Sequence, residues 1–513
     1  MPSVGRDSMR VGGRSTEAVL ARDKVTAAGL SVAVVTIACI FCPEVRHWLV
    51  IPAAASGAVI GWEAVAWARG ARRPFDCDVA VSLVGTYVFL LAPLLHVVLD
   101  QYMGYVVPPP DWRPWLGRMG VFNFAGIVAY RVARSLRLRA RTRSVLPLWR
   151  MRTGWRGPLL SLLAASVALQ VWIYDRFHGV AGYISTFDEG RQGGEGFSGL
   201  GWVFALSESA PMLIVIIVLG GAAPRYLRRS WMRLGAFLVL MFCIKLLFGG
   251  MRGSRSEVIW FMFWCLAVID FRVRPLGRAA ILAGATCALL FMYGYGFYKA
   301  VGLQGVQALS DTTGRKALEA STKRTFAAML VGDLGRADIQ AYLMYKYYEY
   351  PEHYSPAMGK TYLADVLAYV PSALGLPRPP GKLEAGTRLQ YGPMAYNPMG
   401  FHSTVIYGLA GETLLNFGPM WIPAAYFVFG LIVSMMRRLE TTIATNDARR
   451  VLLPLLAYAA VLMLTHDVDN VLYVPTKVAL VPVVGVFISS RRSILCARTG
   501  AGHQAARPIG VSV

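Results

Sequence analysis

The sequence predicts an all-α polytopic integral membrane protein with about twelve transmembrane helices, both termini cytoplasmic and one large extracytoplasmic helical loop. Three observations carry that expectation. Apolar residues make up 55% of the 513 positions and charged residues 16%, where soluble domains carry about 25% charge. Apolar runs of about 18–20 residues, the length that crosses a bilayer as a helix, recur from end to end. Arginine and lysine gather in alternate connections, the asymmetry that orients a chain in a membrane.

In order along the chain, residues 1–24 form a basic, polar, cytoplasmic tail. The first apolar run lacks a small-residue cleavage site and is expected to remain as a span. Helices are predicted at about 25–42, 48–68, 79–99, 115–132, 157–175, 201–222, 233–249, 257–271 and 279–298, then 419–436, 451–466 and 471–490, before a cytoplasmic tail at 491–513. Segments 1–24, 69–77, 131–156, 223–233, 271–278, 437–450 and 491–513 hold about 32 cations, against about 6 in the short opposite loops. The net charge of +23 is therefore read as orientation, and no nucleic-acid partner is expected. The densest stretch, Arg131, Arg134, Arg137, Arg139, Arg141, Arg143, Arg150, Arg152 and Arg156, reads as an anchor on anionic lipid.

Residues 299–418 form the disproportionate outer loop. Arg315 to Tyr350 has the spacing of an amphipathic helical pair lying over the embedded part. Thr361 to Leu376, broken by Pro371, is too short to span and reads as interfacial or re-entrant. Gly392 to Gly400 is an irregular turn before the apolar run Ser403 to Phe417, and irregular backbone beside a membrane implies a sheltering cavity.

Several motifs point away from soluble-enzyme chemistry. Cys39 and Cys42 have CxxC spacing without a second pair or a nearby histidine, which supports neither a disulfide framework nor zinc. Gly359-Lys360-Thr361 lacks the first glycine of a phosphate loop, since residue 354 is tyrosine. Asp76-Cys77-Asp78 and Asp467-Val468-Asp469 are short acidic pairs of a kind common by chance. No metal or cofactor is expected.

Two constellations are candidates for chemistry. The turn Gly249-Gly250-Met251-Arg252-Gly253-Ser254-Arg255-Ser256-Glu257 puts Arg252 and Arg255 on the cation-poor side, where guanidinium forks are suited to phosphate. The alternative is a pair of arginines snorkelling to headgroups. In the large loop stand Lys382, Glu384, Arg388, Tyr391, Tyr396, Asn397 and His402, followed by Glu412. His402 is a candidate proton shuttle or phosphate ligand, with a structural hydrogen bond as the alternative. Glu412 lies in an apolar run, where a carboxylate is costly unless paired or facing a polar cavity; burial raises its pKa towards that of a base. Glu63, Glu208 and Lys245 fall inside spans without relay spacing, so pairing is expected.

The order of features resembles the Wzy-type oligosaccharide repeat-unit polymerases of O-antigen and exopolysaccharide assembly. Gly253-Ser254-Arg255-Ser256 opens a late-middle span. Gly359-Lys360-Thr361-Tyr362 leads to Val370-Pro371 and Pro377-Arg378-Pro379, and Gly400-Phe401-His402-Ser403-Thr404 runs into Gly411-Glu412-Thr413-Leu414-Leu415-Asn416-Phe417-Gly418. The likeness covers roughly residues 240–435; the first 230 match only as a series of spans. It implies a metal-independent membrane glycosyltransferase of the bacterial inner membrane, acting on undecaprenyl-pyrophosphate-linked oligosaccharide at the outer face of the bilayer, with a chain-length regulator and a flippase as expected partners. Pyrophosphate binding would fall to Arg252, Arg255 and Arg388, and acceptor activation to His402 and Glu412. A flippase or exporter for the same glycans and an O-antigen ligase-like transferase remain as alternatives. No internal repeat is found, which weighs against a carrier built of two related halves.

Overall fold

The computed structural model describes residues 13–138, 147–190, 201–221, 225–251, 255–302, 305, 307, 309, 311–322, 324–370, 374, 376–397 and 400–493. Arg252, Gly253 and Ser254, Arg139, Arg141 and Arg143, Pro371, and the tails 1–12 and 494–513 lie outside the described residues.

Helices dominate: α1 (Gly13–Phe41), α2 (Val50–Ile60), α3 (Trp62–Ala68), α4 (Cys77–Val98), α5 (Arg113–Leu138), α6 (Arg156–Arg176), α7 (Gly179–Gly190), α8 (Gly201–Leu219), α9 (Trp231–Gly250), α10 (Arg255–Arg272) and α11 (Arg278–Val301). The loop region supplies α12 (Thr312–Thr322), α13 (Ala337–Glu349), α14 (Lys360–Leu367), α15 (Lys382–Tyr391) and α16 (Gly408–Phe417). The chain closes with α17 (Pro419–Thr442), α18 (Ala448–Thr465) and α19 (Val468–Ile488).

Among the described residues nine helices are long and apolar enough to cross a membrane, or ten if α2 and α3, bent by 54°, form one span. The architecture is that of an all-α, multi-pass membrane protein. Two further spans expected from sequence, at 115–132 and 257–271, are helical as α5 and α10 but are not among those nine. Arg118, Asn123 and Arg131 dilute α5, and Arg255, Glu257, Asp270 and Arg272 load the ends of α10. Among the described residues the strands form a short antiparallel ribbon, β1 (Leu148–Met151) on β2 (Ser490–Ser493), which joins two segments expected on the same side.

Two apolar cores hold the bundle. One gathers Trp112, Trp115 and Ile127 of the α5 region with Tyr342 and Leu343 of α13, Leu414 of α16 and Tyr426 of α17. The other gathers Ile216 of α8, Met241 of α9, Trp264 of α10 and Val486 of α19. Every residue from Ala337 to Lys346 is buried, so α13 is enclosed on all faces over this stretch and has no polar face open to solvent there. Its tyrosines pack on tryptophans, Tyr342 on Trp112 and Tyr345 on Trp115, and that aromatic area outweighs the polar residues in its sequence.

The arginine-rich segment is also more than a lipid anchor. Arg131 grips Glu63 with both terminal nitrogens, at 2.5 and 2.6 Å. Arg134 reaches Asp78 at 2.8 Å, and Arg437 reaches Asp76 at 3.2 Å. The acidic pair around Cys77 is thus neutralised by guanidinium groups from two helices and from the connection before α4, where Arg72 lies 3.0 Å from Asp78.

Candidate functional site

Beside the large loop, two helix starts satisfy each other. The first amides of a helix have no partner within it and attract negative charge. Asp467, just before α19, accepts from the backbone N–H of Tyr407 at 2.8 Å and of Gly408 at 2.7 Å, at the start of α16. Glu412 of α16 accepts in return from the N–H of Val468, the first residue of α19, at 2.7 Å. Its other oxygen accepts from the Thr361 hydroxyl at 3.0 Å, and Asn416 donates to that hydroxyl at 2.7 Å. The Asn416 side-chain oxygen Oδ1 then accepts from the N–H of Gly359 at 3.0 Å. The Gly359-Lys360-Thr361 and Gly411-to-Gly418 segments, about fifty residues apart, are therefore docked on one another.

A lysine closes this arrangement. Lys382, in the first turn of α15, lies 2.6 Å from Asp467 and 2.8 Å from Asp469. A cation at a helix N-terminus is unfavourable by itself, and the two carboxylates hold it there. The acidic pair in this loop is thus bound to an ammonium. Helix α15 approaches so closely that a Cβ on Gly386 would stand 1.9 Å from the Tyr407 hydroxyl; only glycine fits.

Burial, reinforced by the charge of Asp467, pushes the Glu412 carboxyl up to about 8. Burial also raises Asp467, against the pull of Lys382. His466 is driven down to about 3 by burial and by Arg336 and Lys382, so it is a neutral ring beside the Thr465 hydroxyl at 2.9 Å.

A cleft of about 570 Å³ opens next to this cluster. Asp365 of α14 with the following Tyr369 and Val370 form one wall; Trp202 and Ala205 of α8 form a second; Asp469, Tyr473 and Lys477 of α19 form a third, and Arg378 joins them. Three aromatic rings, two carboxylates and two cations thus share one open space, the mixture of apolar surface and few polar groups that suits a ligand. Asp365 is 9% exposed, and its Oδ2 has no hydrogen-bond partner. Burial and then the neighbouring Asp469 push its carboxyl up to about 7.

At Lys477 the cleft meets a four-charge cluster between membrane helices. Lys477 lies 2.5 Å from Glu257 of α10 and 3.0 Å from Glu208 of α8, while Lys245 of α9 lies 3.5 Å from Glu257 and 3.8 Å from Glu208. Two ammoniums thus offset two carboxylates, the pairing that intramembrane charge requires. The end of α9 unwinds at Phe248, and Gly249 takes φ +87° against the Glu208 carboxylate.

The residues singled out from sequence are not brought to one point. Arg255 pairs with Asp333 of the large loop at 2.5 Å, and Arg252 lies outside the described residues. Arg388 pairs with Glu384 one turn away on its own helix, at 2.6 Å. His402 is half-buried, with its Nδ1 3.2 Å from the Gly400 carbonyl oxygen. Glu412 stands in the buried clasp, not on the cleft wall. Asp365 and Lys477 escaped the reading, although each is a charged residue within an apolar run, the same signal that marked Glu412. Compared with protein-family models, with curated proteins and with solved structures, the chain matches none.

Proposed function

We propose that this chain polymerises lipid-linked oligosaccharide repeat units at the outer face of a bacterial inner membrane, with both termini cytoplasmic and undecaprenyl pyrophosphate as the leaving group. The observation that supports this reading is the cleft between α8, α14 and α19, where Trp202, Tyr369 and Tyr473 offer flat apolar faces to sugar rings beside Asp365, Asp469, Arg378 and Lys477. In the reaction an acceptor hydroxyl oxygen forms a bond to the anomeric carbon of the lipid-linked glycan. The bond from that carbon to the pyrophosphate oxygen breaks, and the departing group keeps the electron pair. Placed cations stabilise that developing charge; Arg378 and Lys477 line the cleft, and Arg255 is tied to the large loop through Asp333.

A flippase for the same glycans is the second reading, favoured by the charge cluster of Glu208, Lys245, Glu257 and Lys477 between membrane helices at the inner end of the cleft. Reconstitution into liposomes with lipid-linked repeat units and no other protein separates the readings. A ladder of lengthening glycans is expected, lost with Arg255→Ala and retained with Asp333→Asn, which breaks the same ion pair without removing the guanidinium. Movement of lipid-linked glycan across the bilayer without a ladder overturns the polymerase in favour of the flippase. Transfer of a single glycan to a different lipid acceptor points instead to a ligase-like transferase.

A further inference from the structure

We infer that Asp365 is the catalytic base that takes the proton from the acceptor hydroxyl, an assignment that rests on the glycosyl-transfer reading above. The argument is one of position on the cleft wall and of free bonding capacity. Glu412 is 1% exposed, off the cleft, and both of its oxygens are engaged, by Thr361 and by the N–H of Val468. Asp469 is on the wall, but one oxygen meets Lys382 at 2.8 Å and the other accepts from the N–H and side chain of Asn470. His466 is buried beside Thr465. His402 does not line the cleft. Asp365 alone among these combines a place on the wall with a carboxylate oxygen, Oδ2, that is shielded from water and has no hydrogen-bond partner.

Its surroundings suit the task. Tyr369 follows Asp365 by one helical turn and Tyr473 follows Asp469 by the same spacing, so a sugar ring held against them presents its hydroxyls to the carboxylates between. Burial and then Asp469 raise the proton affinity of Asp365 and Lys382 lowers it, leaving the carboxyl near neutrality, where a base both accepts and releases a proton readily. In the step, the hydroxyl proton passes to the Asp365 carboxylate as the oxygen bonds to the anomeric carbon and the lipid pyrophosphate leaves with the electron pair. The proton is then lost to water, which restores the carboxylate.

The test uses the full chain in liposomes with lipid-linked repeat units, comparing wild type, Asp365→Asn, Asp365→Glu and Glu412→Gln from pH 5.5 to 8.5. The expected result is a fall of about 100-fold or more in ladder formation for Asp365→Asn, with lipid-linked glycan still bound, and partial activity for Asp365→Glu. The wild-type rate is expected to rise with pH through about 7, a limb that Glu412→Gln keeps and Asp365→Asn loses. Asp469, Asp467, Lys382, Lys477 and Arg378 also face this region, so the same limb is read in Asp469→Asn, where it is expected to move to lower pH. Asp365→Asn elongating within about threefold of wild type, or a wild-type rate flat across that range, overturns the assignment while leaving the polymerase reading intact; the flat profile does so even where the variant fails to fold. No ladder from wild type overturns both.

Discussion

Asp467 caps the helix that carries Glu412, and Glu412 caps the helix that Asp467 precedes, through the N–H groups of Gly408 at 2.7 Å and Val468 at 2.7 Å. This exchange joins the large loop to the last membrane hairpin, next to the cleft. Because the Glu412 pKa in the fold is raised to about 8, the protonated form is the one the fold favours. The stability linked to it is complete below the ordinary carboxylate pKa and is lost as pH rises through about 8. Thermal unfolding in detergent is expected to show a lower midpoint at pH 9 than at pH 6, and Glu412→Gln is expected to flatten that dependence, since the amide oxygen still accepts from the N–H of Val468 and the amide nitrogen donates to the Thr361 oxygen, without the titration. An equal pH dependence in the variant would place the effect elsewhere.

Lys382 is the counter-charge for this loop, 2.6 Å from Asp467 and 2.8 Å from Asp469. Removing one partner of a buried pair costs about 3–5 kcal/mol, because the remaining charge has no solvent. Lys382→Met is expected to destabilise the protein on that scale in denaturant titration. Adding Asp467→Asn is expected to recover part of the loss, as the amide still accepts from Tyr407 and Gly408. No recovery in the double variant would show that the lysine acts through packing of its stem.

Gly249 tests the unwound end of α9. Its φ of +87° lies where only glycine is at ease, and a Cβ there would stand 2.2 Å from the Glu208 carboxyl carbon. Gly249→Ala adds about 1 kcal/mol or more of backbone strain to that clash. A sharp loss of folded protein is expected by size-exclusion yield. Gly235→Ala, on the same helix with open space around its Cα, is expected to be tolerated.

What the sequence makes legible is what depends on local pattern. Apolar length marks the helices, and a carboxylate in an apolar run marks Glu412 as notable. Pairing across the chain is not local. Lys382 and Asp467 lie 85 residues apart, and Lys477 and Glu257 lie 220 apart, so neither pair leaves a spacing to read. The Arg388–Glu384 pair, at i and i+4, is local and its spacing is legible, whereas the partner that makes Lys382 the anchor of the loop is not. Helix α13 misleads for a related reason: its polar residues, Gln340 among them, are satisfied inside the bundle, with Gln340 donating to the Tyr407 carbonyl at 2.8 Å, and a polar face in sequence is then no sign of water.

Lys477 belongs to two structures at once, and a paired substitution separates them. It lines the cleft and lies 2.5 Å from Glu257 and 3.0 Å from Glu208. Lys477→Met leaves the membrane cluster with excess negative charge and is expected to lower the unfolding midpoint in detergent, by an amount on the order of 3 kcal/mol in stability. Combining it with Glu257→Gln rebalances the cluster at one lysine and one glutamate, Lys245 with Glu208, and is expected to restore most of that stability. If Lys477 serves only the fold, the double variant regains polymerisation with its stability. If its ammonium also meets the pyrophosphate in the cleft, the double variant is folded, binds lipid-linked glycan more weakly and elongates it slowly, and Lys477→Arg retains both properties better than Lys477→Met. Measured side by side, stability and binding then move independently, which a purely structural lysine would not allow.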